Sequence, residues 1–154
     1  MFKIRSHPAV FSLFFTLLLA GCGWATGSTN QLLVINLLDP ELYQDCHITG
    51  SVNVPFEQLE NYAQKLSRER EIIVYCSNYA CTASKMAAQQ LVKMGFKHVY
   101  AYEAGMAGWV QAKLPVTGPA QERYLTRANE RPTESDHTIN VIETVELAAK
   151  MGLK

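Results

Sequence analysis

Residues 71–95 have the sequence EIIVYCSNYACTASKMAAQQLVKMG, and this stretch predicts the fold of the surrounding chain. It begins with the apolar run 72–75, whose β-branched and aromatic residues are typical of a buried strand. From Thr82 onward, apolar residues recur at helical spacing as far as Gly95, a glycine suited to ending a helix. The stretch therefore predicts a strand, a short loop and a helix, with Cys76 at the carboxyl end of the strand.

The predicted position of Cys76 favours a reactive thiolate. Ligands of parallel α/β sheets bind at the carboxyl ends of the strands. Loop N–H groups and the positive end of a helix dipole face that edge, and both stabilise negative charge. Such surroundings lower a cysteine pKa from about 8.5 to roughly 3.5–7.5. The alternative is a cysteine used only for packing, so the catalytic interpretation requires a thiol that faces the loop and not the hydrophobic interior.

The rest of the chain up to residue 119 alternates predicted strands and helices. Strands are expected at 32–38, 51–54 and 98–102. Helices are expected from Pro40, with Asp39 as N-cap, and over the segments 56–66 and 105–113. This alternation predicts an α/β domain with a mostly parallel sheet.

Two motifs in this region resemble the rhodanese family. Residues 75–109, YCSNYACTASKMAAQQLVKMGFKHVYAYEAGMAGW, are similar to the active-site half of a rhodanese domain, and residues 47–55, HITGSVNVP, are similar to an upstream segment of it. The resemblance covers residues 32–119. It implies a small, mostly parallel sheet with helices on both faces. It also implies a sulfurtransferase in which Cys76 attacks a sulfane-sulfur donor, holds the sulfur as a persulfide and passes it to a thiol acceptor, without a cofactor.

The active-site loop departs from the common family pattern at Cys81, where an arginine usually helps to bind anionic donors such as thiosulfate. Thiosulfate as the donor is therefore in doubt. Two roles for Cys81 stay open: it resolves a Cys76 persulfide or oxidised thiol as a disulfide, or it is a passive small residue. The resemblance implies that the persulfide's charge is held by backbone amides of six loop residues, namely Ser77, Asn78, Tyr79, Ala80, Cys81 and Thr82.

Other functions would use the same cysteines differently. A thiol–disulfide or persulfide-relay protein would use Cys76 and Cys81 as a redox pair, whereas a non-catalytic binding module would need neither thiol. A zinc site would need Cys46 and His47 to lie next to both loop cysteines. The spacing of Cys76 and Cys81 is unlike that of a zinc knuckle, so no metal is predicted. Cys46 is expected to have a structural role. A cysteine phosphatase would need an arginine where the chain has Thr82.

Residues 1–21 predict a lipoprotein signal peptide. Their apolar run is too short to span a bilayer, and LAGC at residues 19–22 resembles a bacterial lipobox, which makes Cys22 the lipid-attachment residue. An ordinary secretory signal is the alternative. Residues 22–31 are a polar linker. We expect a lipid-anchored protein of the cell envelope, on the periplasmic side of the outer membrane in a Gram-negative host, because Gly23 is not the aspartate that resembles an inner-membrane retention signal.

Composition argues against nucleic acid as a partner. Fourteen basic and fourteen acidic residues give zero net charge, without the basic surplus that nucleic-acid binding needs. Prolines, glycine and mixed charges after residue 115 mark the end of the domain. Residues 120–154 are predicted to be a C-terminal extension, with a weak helix within 139–153 that packs on the domain or stays partly free.

Overall fold

The computed structural model describes residues 32–133 and 138–153. The predicted signal peptide, the lipidation site Cys22 and the whole predicted linker lie outside these described residues. In the two described ranges, no helix combines the length and the apolar character that a membrane crossing requires.

A central parallel sheet and a small antiparallel pair account for seven strands in the described residues. In chain order these are β1 (Leu33–Asn36), β2 (His47–Ile48), β3 (Val52–Asn53), β4 (Glu71–Tyr75), β5 (His98–Tyr102), β6 (Val116–Thr117) and β7 (Asn140–Val141). The helices are α1 (Pro40–Asp45), α2 (Leu59–Ala63), α3 (Ala83–Lys93), α4 (Gly105–Gln111) and α5 (Thr144–Lys150), with 3₁₀ turns at Phe56–Gln58 and Arg123–Leu125.

The central sheet has the order β3-β1-β4-β5-β7, with every neighbouring pair parallel. Strand β4 lies in the middle, and its last residue, Tyr75, is opposite Asn36 of β1 and Tyr102 of β5. The three strands therefore end in register at one edge, and the residue after β4, Cys76, begins the loop there. The predicted α/β fold with a mostly parallel sheet is confirmed.

Side chains of β4 alternate between two apolar layers, as the period of a strand requires. Ile72 and Val74 pack with buried residues of α2 and α3, whereas Ile73 and Tyr75 pack with α4 and α5. All four side chains are fully buried, which explains why the strand is a continuous apolar run. Helices thus cover both faces of the sheet, as the resemblance implied.

Helix α3 ends in the manner predicted from Gly95. The N–H of Gly95, at φ +90°, donates to the carbonyl of Val92 over 2.9 Å, and the N–H of Phe96 donates to the carbonyl of Leu91 over 3.1 Å. These two bonds define a Schellman motif, and the buried Phe96 supplies its apolar contact. The local sequence therefore fixes both the length of α3 and the turn into β5.

Several predicted elements are shorter than expected, and the pairing of β2 with β6 was not predicted. The helix expected over 56–66 is a 3₁₀ turn followed by a five-residue helix. It ends early because the amides of Lys65 and Leu66 bond three residues back, which tightens the last turn. Strand β1 covers four residues of the predicted 32–38. The pairing of β2 with β6 involves two residues on each side, too few for a periodic pattern to appear in the sequence.

The segment after residue 119 contributes to the same core. Strand β7 pairs with β5, with Val141 opposite Ala101, and α5 begins at Thr144, later than the predicted helical pattern. Leu147 and Ile142 are buried in the same apolar layer as Trp109 of α4. The extension predicted from composition therefore supplies an edge strand and a packed helix to the domain.

This packing gives a test of the C-terminal segment. Leu147→Ala should lower the free energy of unfolding by about 2–5 kcal/mol, because truncating a fully buried leucine leaves a cavity. Val145→Ala is the matched control: Val145 is 82% exposed, so its change should stay within about 0.5 kcal/mol. Urea unfolding followed by circular dichroism measures both. Equal effects of the two substitutions would show that α5 is not part of the core.

Candidate active site

The predicted nucleophile Cys76 is joined to Cys81 by a disulfide. The Cα atoms of the two residues are 6.4 Å apart, and the bond closes the loop between β4 and α3. Cys76 is fully buried, whereas Cys81 is partly exposed. The loop residue therefore forms the solvent side of the sulfur pair, and the strand residue forms its inner side.

The burial of Cys76 differs from the expectation of a thiol directed away from the interior. Its side chain belongs to the apolar layer that includes Val74 and Ala87, and the alternation of β4 explains why, since residues 74 and 76 share a face. Its Sγ is nevertheless directed to the loop: it is bonded to Cys81 and lies 3.4 Å from the Cys81 carbonyl oxygen. A Cys76 thiolate therefore exists only after the disulfide is reduced.

The predicted amide cradle is partly occupied in this oxidised form. The Tyr79 N–H donates to Oδ1 of Asn129 over 3.0 Å, and the Ala80 N–H donates to Oδ1 of Asn78 over 3.1 Å. The Cys81 N–H donates to the Asn78 carbonyl over 3.0 Å. The amides of the other three loop residues form no hydrogen bond within the described part of the chain. Half of the predicted donors would therefore have to exchange partners before they could bind a persulfide.

The beginning of the loop is held by the first turn of α4. The N–H of Met106 donates to the Cys76 carbonyl over 2.9 Å, and the N–H of Ala107 donates to the Ser77 carbonyl over 2.8 Å. Gly105 allows this approach: it has φ +58°, and a Cβ there would lie 2.7 Å from backbone atoms of Cys76 and Ser77. The backbone of α4 thus fixes the direction in which the chain leaves β4.

The start of α3 contributes less than the sequence suggested. Thr82 occupies the N-cap position, but its side chain forms no capping hydrogen bond, and its hydroxyl lies 3.8 Å from Sδ of Met86. Thr82 is therefore the cap by position only. Ser84, in the first turn of α3, was not predicted as part of the site: it is buried, and its hydroxyl has no partner among the described residues.

Cys46 and His47 are separate from the loop cysteines. Cys46 is buried in the layer with α4 and α5, opposite the one that holds Cys76, and burial, with a smaller contribution from Asp45, raises the pKa of its thiol to about 11. The ring of His47 stacks on Tyr43 at 3.8 Å. In the described ranges, no group of three or more candidate metal ligands comes together. Cys46 is therefore a neutral, structural thiol at physiological pH.

The sequence analysis missed the residues that hold the tip of the loop. Asn129 also donates from Nδ2 to the Ala104 carbonyl over 2.9 Å, and thereby bridges the loop and α4. Nη2 of Arg131 donates to the Tyr79 hydroxyl over 3.0 Å and to both carboxylate oxygens of Glu143 over 2.5 Å. These partners lie about fifty and more positions beyond the loop, so no local motif could indicate them.

The geometry of strand, loop and helix agrees with a comparison of the sequence with known families. A family model described as "Rhodanese-like domain" matches residues 25–112, more than half of the chain. The chain belongs to the rhodanese-like domain family. The family assignment made from the motifs is thereby confirmed, and the matched residues contain both Cys76 and Cys81 but end before Asn129 and Arg131.

Named relatives of this rhodanese-like domain include sulfur-handling proteins. The thiosulfate sulfurtransferase GlpE of Coxiella burnetii is 29% identical over 86 residues, which cover 56% of this chain and 78% of that protein. The putative sulfur carrier protein YrkF of Bacillus subtilis is 33% identical over 82 residues, which cover 53% of this chain and 43% of that protein. The similarity supports a sulfurtransferase-like family at low identity.

Solved structures agree with the fold. The BH2092 protein from Bacillus halodurans matches with a TM-score of 0.53 and 30% identity, covering 58% of this chain and 66% of that chain. The rhodanese-like domain of the Alr3790 protein from Anabaena matches with a TM-score of 0.53 and 25% identity, covering 69% of this chain and 80% of that chain.

The contact at Gly105 gives a second test. Gly105→Ala should lower the free energy of unfolding by about 3 kcal/mol or more, because the methyl group adds a backbone clash to the strain of positive φ. Gly50→Ala separates the two effects: Gly50 has φ +88° with no atom within 4 Å of a Cβ, so only the strain of about 1–2 kcal/mol applies. Urea unfolding measures the free energy of unfolding of both variants. Equal decreases would contradict a costly backbone clash at Gly105.

Proposed function

We propose that this chain is a sulfurtransferase that carries sulfane sulfur as a persulfide on Cys76. The observation that carries the proposal is the sulfur atom bonded to Cys76. In the structure, Sγ of Cys81 occupies a position that the outer sulfur of a persulfide would take, since both form one S–S bond to the same atom. The site therefore accommodates a second sulfur next to Cys76.

Sulfur loading begins from the reduced pair. The Cys76 thiolate attacks the sulfane sulfur of the donor, a new S–S bond forms, and the bond between that sulfur and the rest of the donor breaks. The electron pair of the broken bond departs with the leaving group. An acceptor thiolate then attacks the outer sulfur and takes it as its own persulfide, while Cys76 leaves as a thiolate. The protein undergoes no net oxidation in this cycle.

Backbone donors at the carboxyl edge of the sheet support the charged intermediate. Three loop amides are without a partner in the described residues, and the N-terminal end of α3 adds a positive partial charge. The Ala80 and Cys81 amides now donate to the side chain and the carbonyl of Asn78, so they would have to exchange these partners before they could bind the outer sulfur.

The disulfide itself favours a second candidate function, a thiol–disulfide or persulfide relay. The Cys81 thiolate attacks Sγ of a Cys76 persulfide, the disulfide forms, and the outer sulfur leaves as hydrosulfide. Return to the dithiol requires two electrons from an external dithiol or from two thiols. In this scheme Cys81 is a resolving cysteine, the more active of the two roles that the sequence left open. The passive role would leave Cys81 with no part in turnover.

Replacement of the usual arginine by Cys81 favours donors without a high negative charge. Cys81 supplies no cation to a dianionic donor, and a charge brought into a partly buried site without a partner is costly. We therefore propose that a persulfide or polysulfide of a small thiol loads Cys76 more readily than thiosulfate does. The acceptor is a second thiol that reaches the site past Cys81.

Mass spectrometry of the reduced full-length chain tests the assignment of Cys76. After incubation with glutathione persulfide or thiosulfate, the peptide that carries Cys76 should gain the mass of one sulfur atom, because the thiolate retains the transferred sulfur. Cys76→Ser should abolish the gain. Cys81→Ser should increase persulfide at least about threefold, since no resolving thiol displaces it.

Cys46→Ala is the matched control and should load sulfur normally, because Cys46 lies in the opposite layer. Absence of an adduct with both donors, in the wild type and in Cys81→Ser alike, would contradict the sulfurtransferase. If the reversible disulfide were the only reaction seen under those conditions, the relay function would remain.

We further propose that Cys22 is lipid-modified and anchors the domain in the cell envelope, on the periplasmic side of the outer membrane if the host is Gram-negative. The lipobox-like residues 19–22 support this location, and a disulfide is suited to an oxidising compartment. Fractionation of cells that express the full-length chain should find it with membranes, and Cys22→Ser should shift it to the soluble fraction. Unchanged membrane association of Cys22→Ser would contradict the anchor.

A further inference from the structure

The C-terminal segment crosses the tip of the cysteine loop at two neighbouring residues, Asn129 and Arg131. Asn129 accepts from the Tyr79 N–H over 3.0 Å and donates to the Ala104 carbonyl over 2.9 Å. It therefore joins the loop to the residue before α4. A side-chain amide has both an acceptor oxygen and a donor nitrogen, so Asn129 bonds to the Tyr79 N–H and to the Ala104 carbonyl at the same time.

Arg131 holds the side chain of the same loop residue. Its guanidinium donates to the Tyr79 hydroxyl over 3.0 and 3.3 Å and lies 5.4 Å from the centre of the Tyr79 ring. The second anchor of the guanidinium is Glu143, just before α5. The hydrogen bond to Glu143 and, to a smaller extent, the one to Tyr79 raise the pKa of Arg131 above its ordinary value, so the guanidinium stays charged in the physiological range.

The two contacts act on the part of the loop that places Cys81. Tyr79 lies two residues before Cys81, within the turn in which the Cys81 N–H donates to the Asn78 carbonyl. Asn129 and Arg131 come from outside the residues that match the rhodanese-like family, whereas Cys76 and Cys81 come from inside them. The loop therefore contacts a segment that lies outside the residues matched by the family model.

We propose that Asn129 and Arg131 are positioning residues, which hold the Tyr79 turn so that Cys81 reaches Cys76 and the disulfide forms. The proposal rests on the proposed function in that it gives the resolving role of Cys81 a structural basis. In the disulfide, the S–S bond itself restricts the loop. In the dithiol that restriction is absent, so the loop depends more strongly on the contacts of Tyr79. Loss of these contacts therefore frees the dithiol more than the disulfide and shifts the equilibrium toward the reduced pair.

Equilibration of the full-length chain with dithiothreitol buffers measures this effect. Dithiothreitol gives two electrons to the disulfide, which yields two thiols and cyclic oxidised dithiothreitol, and alkylation followed by mass spectrometry counts the free thiols. Asn129→Ala should favour the dithiol about fivefold and Arg131→Met about two- to threefold, because an exposed ion pair contributes less than a partly buried hydrogen bond. A tenfold change would correspond to about 30 mV.

Three further variants separate positioning from general loss of structure. Asn129→Asp keeps the acceptor for the Tyr79 N–H and should recover part of the wild-type equilibrium. Tyr79→Phe keeps the ring but removes the hydroxyl, and should reproduce Arg131→Met. Arg127→Met removes an exposed arginine of the same segment whose side chain makes none of the described contacts, and should match the wild type.

The proposal is overturned if Asn129→Ala, Arg131→Met and Tyr79→Phe all stay within about twofold of the wild type, below the effect of one hydrogen bond. If Asn129→Ala does not fold, Arg131→Met and Tyr79→Phe decide the outcome. Sulfur loading of the wild type is measured separately. Its absence would contradict the sulfurtransferase but would leave the thiol–disulfide equilibrium and its dependence on Asn129 intact, so the two failures are distinguishable.

Discussion

The site depends on the close backbone contact between α4 and the chain leaving β4. Two amides of α4 donate to the first two carbonyls after the strand, and Gly105 permits this approach because a Cβ there would lie 2.7 Å from backbone atoms of the loop. These two bonds begin where the strand pairing of β4 ends, so they direct the chain as it leaves the sheet. The position of Cys76 at the carboxyl edge is therefore set by backbone hydrogen bonds, and the sulfur chemistry is built on them.

Burial divides the three described cysteines into different chemical roles. Cys46 is enclosed in the layer with α4 and α5, where burial keeps its thiol neutral and unreactive. Cys76 is equally buried but is bonded to a partly exposed partner, so an external thiol or donor approaches through Cys81. The same pair of sulfurs therefore has one side enclosed by the core and one side open to solvent.

Local patterns predicted much of the fold and part of the site. The apolar run of β4, the helical spacing of α3 and the glycine at its end depend on neighbours in sequence, and they were correct for that reason. The contacts that hold the loop and complete the sheet join residues that are distant in sequence. Tyr79 of the loop contacts Asn129, and β5 pairs with β7 at the edge of the sheet. Their sequence signals are one amide side chain and a two-residue strand, neither of which differs from ordinary loop composition. Pairing of Cys76 with Cys81 was one of two open roles, because spacing alone does not determine whether two sulfurs meet.

Arg131 does not replace the cation that Cys81 displaces from the usual loop. Its guanidinium is paired with both oxygens of Glu143, so the pair adds little net charge at the edge of the site. A cation that binds an anionic sulfur donor would keep N–H groups free for that substrate. The Nη2 atom of Arg131 is instead shared between the Glu143 carboxylate and the Tyr79 hydroxyl. The arginine therefore fastens the loop to the C-terminal segment. The loop of this chain therefore carries a second sulfur at position 81, and its Tyr79 turn is joined to the C-terminal segment by Asn129 and Arg131.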